Sequence, residues 1–389
     1  FIGSIIKTAQ NISWTNLFYL SMTFGLYGLQ IYQNYMACIR FYNNISRINE
    51  HISFLKDYIS VSIINIDKFA EINSKYSTYK NFCVLSSCHS DTLRNIYNEI
   101  KDIAPFEPKI SKISEIGYLL KCFYHLHTNP EYENSLRYSV GFNGFVSNLR
   151  GVRDNMLSNN VNLATFTDKN TTMNGLYYPA LIQEKHVKNS CSFAKNIVIT
   201  GPNASGKTTF LKSMSINIIL SQQIGVGFYD ECSINPYTHI HSYLNIPDTS
   251  ARDSLFQAEA RRCKEILDVI GNEDNDSGSQ VVFKHFCVFD ELYSGTNPDE
   301  AVLSALAFMK YLIKNDGVFC ILTTHFIKVC KKLQKNKSII NCHMETEKKD
   351  DRLIYKYKLV DGISEVKGGV AVLTAMDYPK EIISNTNNE

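Results

Sequence analysis

The chain has 389 residues, 44% of them hydrophobic and 20% charged, with a net charge of +2 at pH 7. That length allows two domains, and that composition describes an ordinary globular protein. A balance so near neutrality excludes a whole-molecule electrostatic attraction to nucleic acid, so any DNA contact must come from a local patch.

The eleven cysteines are scattered, with no C-x-x-C pair. Cys83, Cys88 and His89 are the only close set, and their spacing is wrong for a zinc knuckle. They read as core residues in a reducing compartment. The chain opens on Phe1 rather than Met, which points to sequence upstream. Asn, Ile, Lys and Tyr are abundant, as expected of an AT-rich genome. No secretory cleavage pattern is visible, and an intracellular location, cytoplasm or nucleus, is expected.

From Trp14 to Ile39 there is no charged residue. A spanning helix needs about 20 predominantly apolar residues, and Asn16, Ser21, Thr23, Gln30, Gln33 and Asn34 interrupt this one. A buried helix pair is expected, with membrane association as the alternative. Residues 41–72 then carry an apolar stripe of Ile45, Ile48, Ile52, Leu55, Ile59, Ile63, Ile66 and Phe69. Steps of three and four predict one long amphipathic helix. Further helices are predicted over Leu93–Ile103, Ile113–Leu126 and Leu136–Met156, with Pro105 and Pro108 breaking the chain between two of them.

The character changes near Asn174-Gly175, where short apolar runs begin to alternate with helical stretches. Strands are predicted at 197–200, 286–289 and 318–323. The segment 271–280, GNEDNDSGSQ, reads as an exposed loop, and 345–352, ETEKKDDR, as a hairpin or long turn. The pattern predicts an all-α domain over 1–170. Over 171–389 it predicts an α/β domain, a mostly parallel sheet with helices on both faces.

Within that second domain, Ile197-Val198-Ile199 leads into Gly201, Pro202, Asn203, Ala204, Ser205, Gly206, Lys207 and Thr208. Apolar residues at helical spacing follow from Phe210. Strand, glycine loop and helix are the context of a phosphate-binding loop, whose backbone N–H groups and helix N-terminus face the phosphates. Lys207 is expected to reach the β- and γ-phosphates of ATP, and Thr208 to ligate Mg²⁺. Residues 286–291, FCVFDE, deliver two carboxylates at a strand end, where open α/β sheets bind ligands. Asp290 suits the Mg²⁺ and Glu291 the activation of water. A further strand, VFCILTTH, ends in His325, placed either to sense the γ-phosphate or simply to cap the strand. Ser294 to Glu300 reads as a turn and helix start, with Pro298 or Asp299 in the first turn.

Taken together, TGPNASGKTTFLKS, DTSARDSLFQAEA, FDELYSGTNPDEA and LTTH resemble the ATPase domain of the MutS family. The tail YKLVDGISEVKGGVAVLTAMDYPKEII and the lead-in LYYPALIQEKHVKNS resemble flanking parts of the same domain. The resemblance covers roughly residues 174–385 and is nearest to reduced, viral-type relatives, for which a viral factory is a further location. It implies a P-loop NTPase fold and ATP hydrolysis modulated by DNA. Gly201, Asn203, Gly206, Lys207, Thr208 and Thr209 match the phosphate loop, Asp290 the metal carboxylate, Glu291 the water-activating carboxylate and His325 the switch histidine. The catalytic set implied is therefore Glu291, Lys207, His325 and Asn203. Ser254 matches a serine that reaches the nucleotide of a partner subunit, implying a homodimer through facing ATPase domains. His186 stands where the family has an aromatic residue against the adenine.

Some features depart from the family. Phe69-Ala70-Glu71 has the spelling of a mismatch-reading wedge, but the stripe makes Phe69 a core residue. The helical region is short for a complete lever and clamp. The chain ends soon after Ile383, leaving no room for a C-terminal dimerisation element, so a dimer that is weak or depends on DNA or ATP is expected. Two other functions remain open: an ABC-type ATPase, membrane-linked or SMC-like, and a nucleotide-gated scaffold with little turnover. The first lacks its Leu-Ser-Gly-Gly stretch, where this chain has Ser250-Ala251-Arg252-Asp253-Ser254. The intact Asp290-Glu291 pair speaks against the second.

Overall fold

The architecture is that of a computed structural model. It describes all residues except 1, 11–12, 108, 110–112, 245, 247–253, 275–282, 350–351, 367, 369–372, 375, 377, 380 and 383–389. Two compact units divide between Arg150 and Gly151.

The first unit is helical: α1 (Ile2–Gln10), α2 (Trp14–Asn73), α3 (Lys80–Ile100), α4 (Ile113–Thr128) and the start of α5 (Pro130–Leu157). Helix α2 has 60 residues, about 90 Å at the rise of an α-helix. Its core stripe is a seven-residue repeat of Ile45, Ile52, Ile59 and Ile66, all buried. A 3.5-residue period keeps such a seam facing its partners. Those partners are Leu93, Ile96 and Ile100 of α3, Leu119 and Cys122 of α4, and Tyr132 and Phe142 of α5. Phe69 meets the rings of Tyr79, Phe82, Phe142 and Phe145 edge-on, so it is a core residue as its place in the stripe predicts. A short polar layer accompanies the core, with Asn143 donating to Ser62 Oγ at 2.9 Å.

Residues 14–39 are not a buried helix pair. They continue α2 without a break, and Trp14, Phe18, Tyr19, Leu26, Leu29, Tyr32 and Tyr35 are exposed. Gly25 and Gly28 each cost a helix only about 1 kcal/mol, and no proline intervenes, so nothing local turns the chain back. Among the described residues no helix is long and apolar enough to cross a membrane.

The second unit contains eleven strands among its described residues. They are β1 (Asn162–Phe166), β2 (Thr172–Leu176), β3 (Asn189–Ser192), β4 (Asn196–Thr200), β5 (Val226–Gly227), β6 (Glu231–Ile234), β7 (His239–Tyr243), β8 (His285–Asp290), β9 (Val318–Thr323), β10 (Ile339–Lys349) and β11 (Arg352–Asp361). Six form the main sheet in the order β11-β10-β4-β9-β8-β7. Its pairs are parallel except β10 with β11, the hairpin expected around 345–352. The central strands are apolar on both sides, as buried parallel strands are. Val198, Cys287, Phe289, Cys320 and Leu322 face a core built with α7 (Leu255–Asp274), α8 (Pro298–Leu312) and α9 (Ile327–Leu333). Ile197, Ile199, Phe286, Val288 and Ile321 face the opposite core with α6 (Lys207–Ile224). Helices thus cover both faces of this sheet. Asn297 caps α8, its Oδ1 accepting from the Asp299 N–H at 3.0 Å, with Pro298 at the first helical position.

A smaller sheet, β3-β2-β6-β1-β5, is absent from the sequence reading. Its strands have two to five residues and alternate or lack apolar character, too short a signal to separate from loops. Residues 271–274, expected in a loop, extend α7 instead, while 275–280 lie outside the described residues.

Candidate active site

The carboxyl ends of β4, β8 and β9 lie side by side, because Val198 pairs with Leu322 and Asp290 with Thr323. Each strand runs into a functional turn there. After β4 the loop 201–206 needs unusual backbone: Gly201 has φ +153°, Ala204 +63° and Gly206 +97°. Gly206 is also crowded, since an added Cβ would lie 3.0 Å from Cδ1 of Tyr357. Glycine meets both demands at once. The loop then becomes the N-terminus of α6, with Lys207 its first residue.

The Lys207 ammonium is buried, donating to the carbonyls of Gly201 at 3.0 Å and Pro202 at 3.2 Å. Its Nζ also lies 3.5 Å from Oε1 of Glu291. Thr208 Oγ1 donates to Oδ2 of Asp290 at 2.7 Å. The other oxygen, Oδ1, accepts from Thr323 Oγ1. Both carboxylate oxygens are therefore oriented by hydroxyls, one from the loop helix and one from the neighbouring strand. Glu291 sits at φ +53°, its N–H held by the Thr323 carbonyl at 3.1 Å. That strained turn aims its carboxylate between Lys207 and His325, whose Nδ1 lies 3.6 Å from Oε2. The His325 ring at 3.6 Å and the nearby Lys207 charge hold the Glu291 carboxyl below the ordinary range, against the opposing effect of partial burial.

A cavity of about 870 Å³ opens over these groups. Asn203, Ala204, Ser205, Gly206, Lys207, Thr208, Thr209, Asp290 and Glu291 all line it. Tyr177, Leu181, His186 and Phe210 line it too, beside the polar Glu184, Lys185 and Asn189. The His186 ring stacks on Tyr177, centroids 4.1 Å apart, and so presents its other face. Gly201 and Pro202 act through the carbonyls that hold Lys207. Ser254 is exposed and precedes α7, its Oγ accepting from the Gln257 N–H at 3.3 Å and its carbonyl from the Ala258 N–H. Within its own chain it is a helix cap; residues 248–253 of the same motif lie outside the described residues.

Three further residues build the site. Thr323 orients Asp290; its polar place at a strand end is visible in sequence, but the register that pairs it with Asp290 is not. Tyr357 reaches beneath Gly206 from β11, at φ +56°, beside a register shift in the β10–β11 ladder. Such a shift re-aims a side chain. Glu259 is buried and accepts from the Ser294 N–H and hydroxyl and the Gly295 N–H, fastening α7 to the turn after β8.

The donor set of Thr208 and Asp290 is hard oxygen, next to the glycine loop at the N-terminus of α6. It suits Mg²⁺, which binds through one or two carboxylates plus phosphate oxygens and keeps several waters. Among the described residues no group of three or more His, Cys, Asp or Glu forms a metal cage.

A profile of MutS domain V matches residues 197–389. The DNA mismatch repair protein MutS of Fusobacterium nucleatum is 22% identical over 370 residues, covering 93% of this chain and 37% of that protein. The DNA mismatch repair protein spellchecker 1 of Drosophila melanogaster is 25% identical over 215 residues, 54% of this chain and 22% of its own length. A MutS of Prochlorococcus marinus is 27% identical over 212 residues, again 54% and 22%. The chain thus spans 22% to 37% of the length of these relatives.

Proposed function

Because the chain belongs to the MutS family, we propose that it binds ATP with Mg²⁺, hydrolyses it, and couples that cycle to DNA. The observation that carries this reading is the pair of contacts joining the loop helix to the acidic strand end: Thr208 to Asp290 and Lys207 to Glu291. Together they bring a phosphate cradle, a cation, a metal carboxylate and a base to one cavity.

In this reading the N–H groups of 203–208 and the N-terminus of α6 hold the β- and γ-phosphates. Lys207 leaves the Gly201 and Pro202 carbonyls for phosphate oxygens. Thr208 and Asp290 would hold Mg²⁺, which would supply neutralisation of charge on the phosphates. Glu291, kept ionised by His325 and Lys207, orients a water and accepts its proton. His325 links that carboxylate to β9 and to whatever occupies the γ-phosphate position. The stacked His186 offers its free face to the base. Ser254, exposed just before α7, would serve a second copy's nucleotide, making the working unit a dimer.

Steady-state phosphate release, with and without DNA, tests the activity. Glu291→Ala should retain ATP binding and lose roughly 10²–10⁴-fold in turnover, the range expected for a general base; undiminished turnover would remove Glu291 from that role. Binding of homoduplex, mismatched and branched DNA at stated salt, with and without ATP, identifies the DNA partner.

A further inference from the structure

The nucleotide cavity contains a polar group that no part of the phosphate chemistry uses. Ser213 lies two turns into α6, is 3% exposed, and lines the cavity. Its Oγ has no hydrogen-bond partner. A buried serine in a helix ordinarily satisfies its hydroxyl on the carbonyl four residues back. Two others on α6 do so: Ser215 donates to Leu211 O at 2.9 Å and Ser221 to Asn217 O at 2.6 Å. The Ser213 hydroxyl does not, and an orphaned buried hydroxyl is costly unless something completes it.

Its position along the cavity identifies what that is. Lys207 begins α6 at the phosphate end, and the helix rise puts Ser213 about 9 Å further on. Phe210 and Asn217 share its face of the helix by their spacing of three and four residues. Asn217 donates to the carbonyls of Tyr177 and Phe228, both at 3.3 Å, and accepts the Phe228 N–H at 2.7 Å. Asn217 is thus spent on the backbone beside Tyr177, and Ser213, one turn nearer Lys207, lines the cavity. Leu176, Tyr177, Leu181, His186 and Phe210 also line the cavity, with the His186 ring stacked on Tyr177. Of the buried, unpartnered side-chain atoms among the described residues, two belong to cavity-lining residues: Ser205 Oγ in the phosphate loop and Ser213 Oγ here.

The geometry points to Ser213 as a base-reading residue: its hydroxyl hydrogen-bonds the polar edge of the purine of a bound nucleoside triphosphate. This rests on the nucleotide reading above. A hydroxyl donates or accepts by rotation, so it serves either type of group on that edge.

The test uses the full chain, wild type and Ser213→Ala, with ATP and with inorganic tripolyphosphate, which has the phosphates but no base. Direct binding in the presence of Mg²⁺ should show ATP affinity falling roughly 3- to 10-fold in the variant, with tripolyphosphate affinity unchanged and the unliganded melting temperature not lowered. Equal ATP affinity in the two chains would overturn the assignment. So would a parallel loss for ATP and tripolyphosphate, which marks a structural role. A wild-type chain that binds neither compound would overturn the nucleotide reading itself, a different outcome from either.

Discussion

The Thr208 hydroxyl donates to Oδ2 of Asp290 at 2.7 Å, across 82 positions of sequence. Because Thr323 holds the other oxygen, the carboxylate has a single orientation before any ligand arrives. Thr323→Val should leave Asp290 free to rotate. The Mg²⁺ concentration for half-maximal phosphate release should rise at least about 10-fold, as for other groups that orient a metal ligand. ATP binding measured in EDTA should be unaffected. An unchanged Mg²⁺ requirement would show that Thr208 alone suffices.

His325 is expected to act on the pH profile through Glu291. Its ring beside the carboxylate lowers the carboxyl's pKa, so ionised Glu291 persists as pH falls and the acid limb of kcat/KM lies at low pH. His325→Ala removes the largest lowering influence and leaves the opposing burial. The acid limb should move to higher pH, with activity above it reduced. A limb that stays in place would separate His325 from the base.

The buried pair His241 and His285 makes stability depend on pH. His241 Nε2 lies 3.1 Å from His285 Nδ1. Burial first, then His285, His239 and Arg262, lower His241 to about 4. A histidine starts near 6.5 when unfolded, so the unfolded chain takes up protons first as pH falls from that value. Stability is therefore fully present above pH 6.5 and declines toward pH 4, by on the order of 3 kcal/mol for this group. Melting temperatures across that range should fall, and fall less in His241→Gln. Parallel curves would reject the assignment.

Glu259 should matter for folding before function. Three donors converge on its buried carboxylate from Ser294 and Gly295. Glu259→Ala strands them and should cost about 2–4 kcal/mol, read as a lowered denaturant midpoint with little change in slope. Glu259→Gln keeps an acceptor and should cost less.

Ser254 separates a cap from a partner's ligand. As a cap alone, Ser254→Ala should cost about 1 kcal/mol of stability and leave turnover per chain as in wild type. If Ser254 serves a second copy, Ser254→Ala should abolish the rise of specific activity with protein concentration that a reversible dimer would show. Mixing Ser254→Ala with Lys207→Ala chains should then restore part of the activity, since one mixed site keeps both groups. No recovery on mixing would confine Ser254 to its own helix.

Much of the second unit was legible because its strands β4, β8 and β9 are short apolar runs, each leading into a turn of the candidate site. Local pattern marks such strands without reference to neighbours. The smaller sheet was not legible: β1 and β2 have mixed exposure and no run, and they are strands only because they pair with β6. The stripe from Ile45 to Phe69 predicted the long helix and its buried face. Residues 14–39 misled because an apolar segment implies cover, and apolar character does not say whether the chain supplies it.

By itself, the order of residues determined the glycine loop between strand and helix, the paired carboxylates and the helix that holds the isoleucine seam. These are properties of spacing along one element, where covalent geometry places the groups. Tertiary structure alone decided which groups face them. The pairing of Asp290 with Thr323, the approach of Tyr357 to Gly206 and the orphaned hydroxyl of Ser213 depend on strand register and on which helix face is covered. Those are settled by cooperative packing between residues far apart in sequence, and no local pattern encodes them.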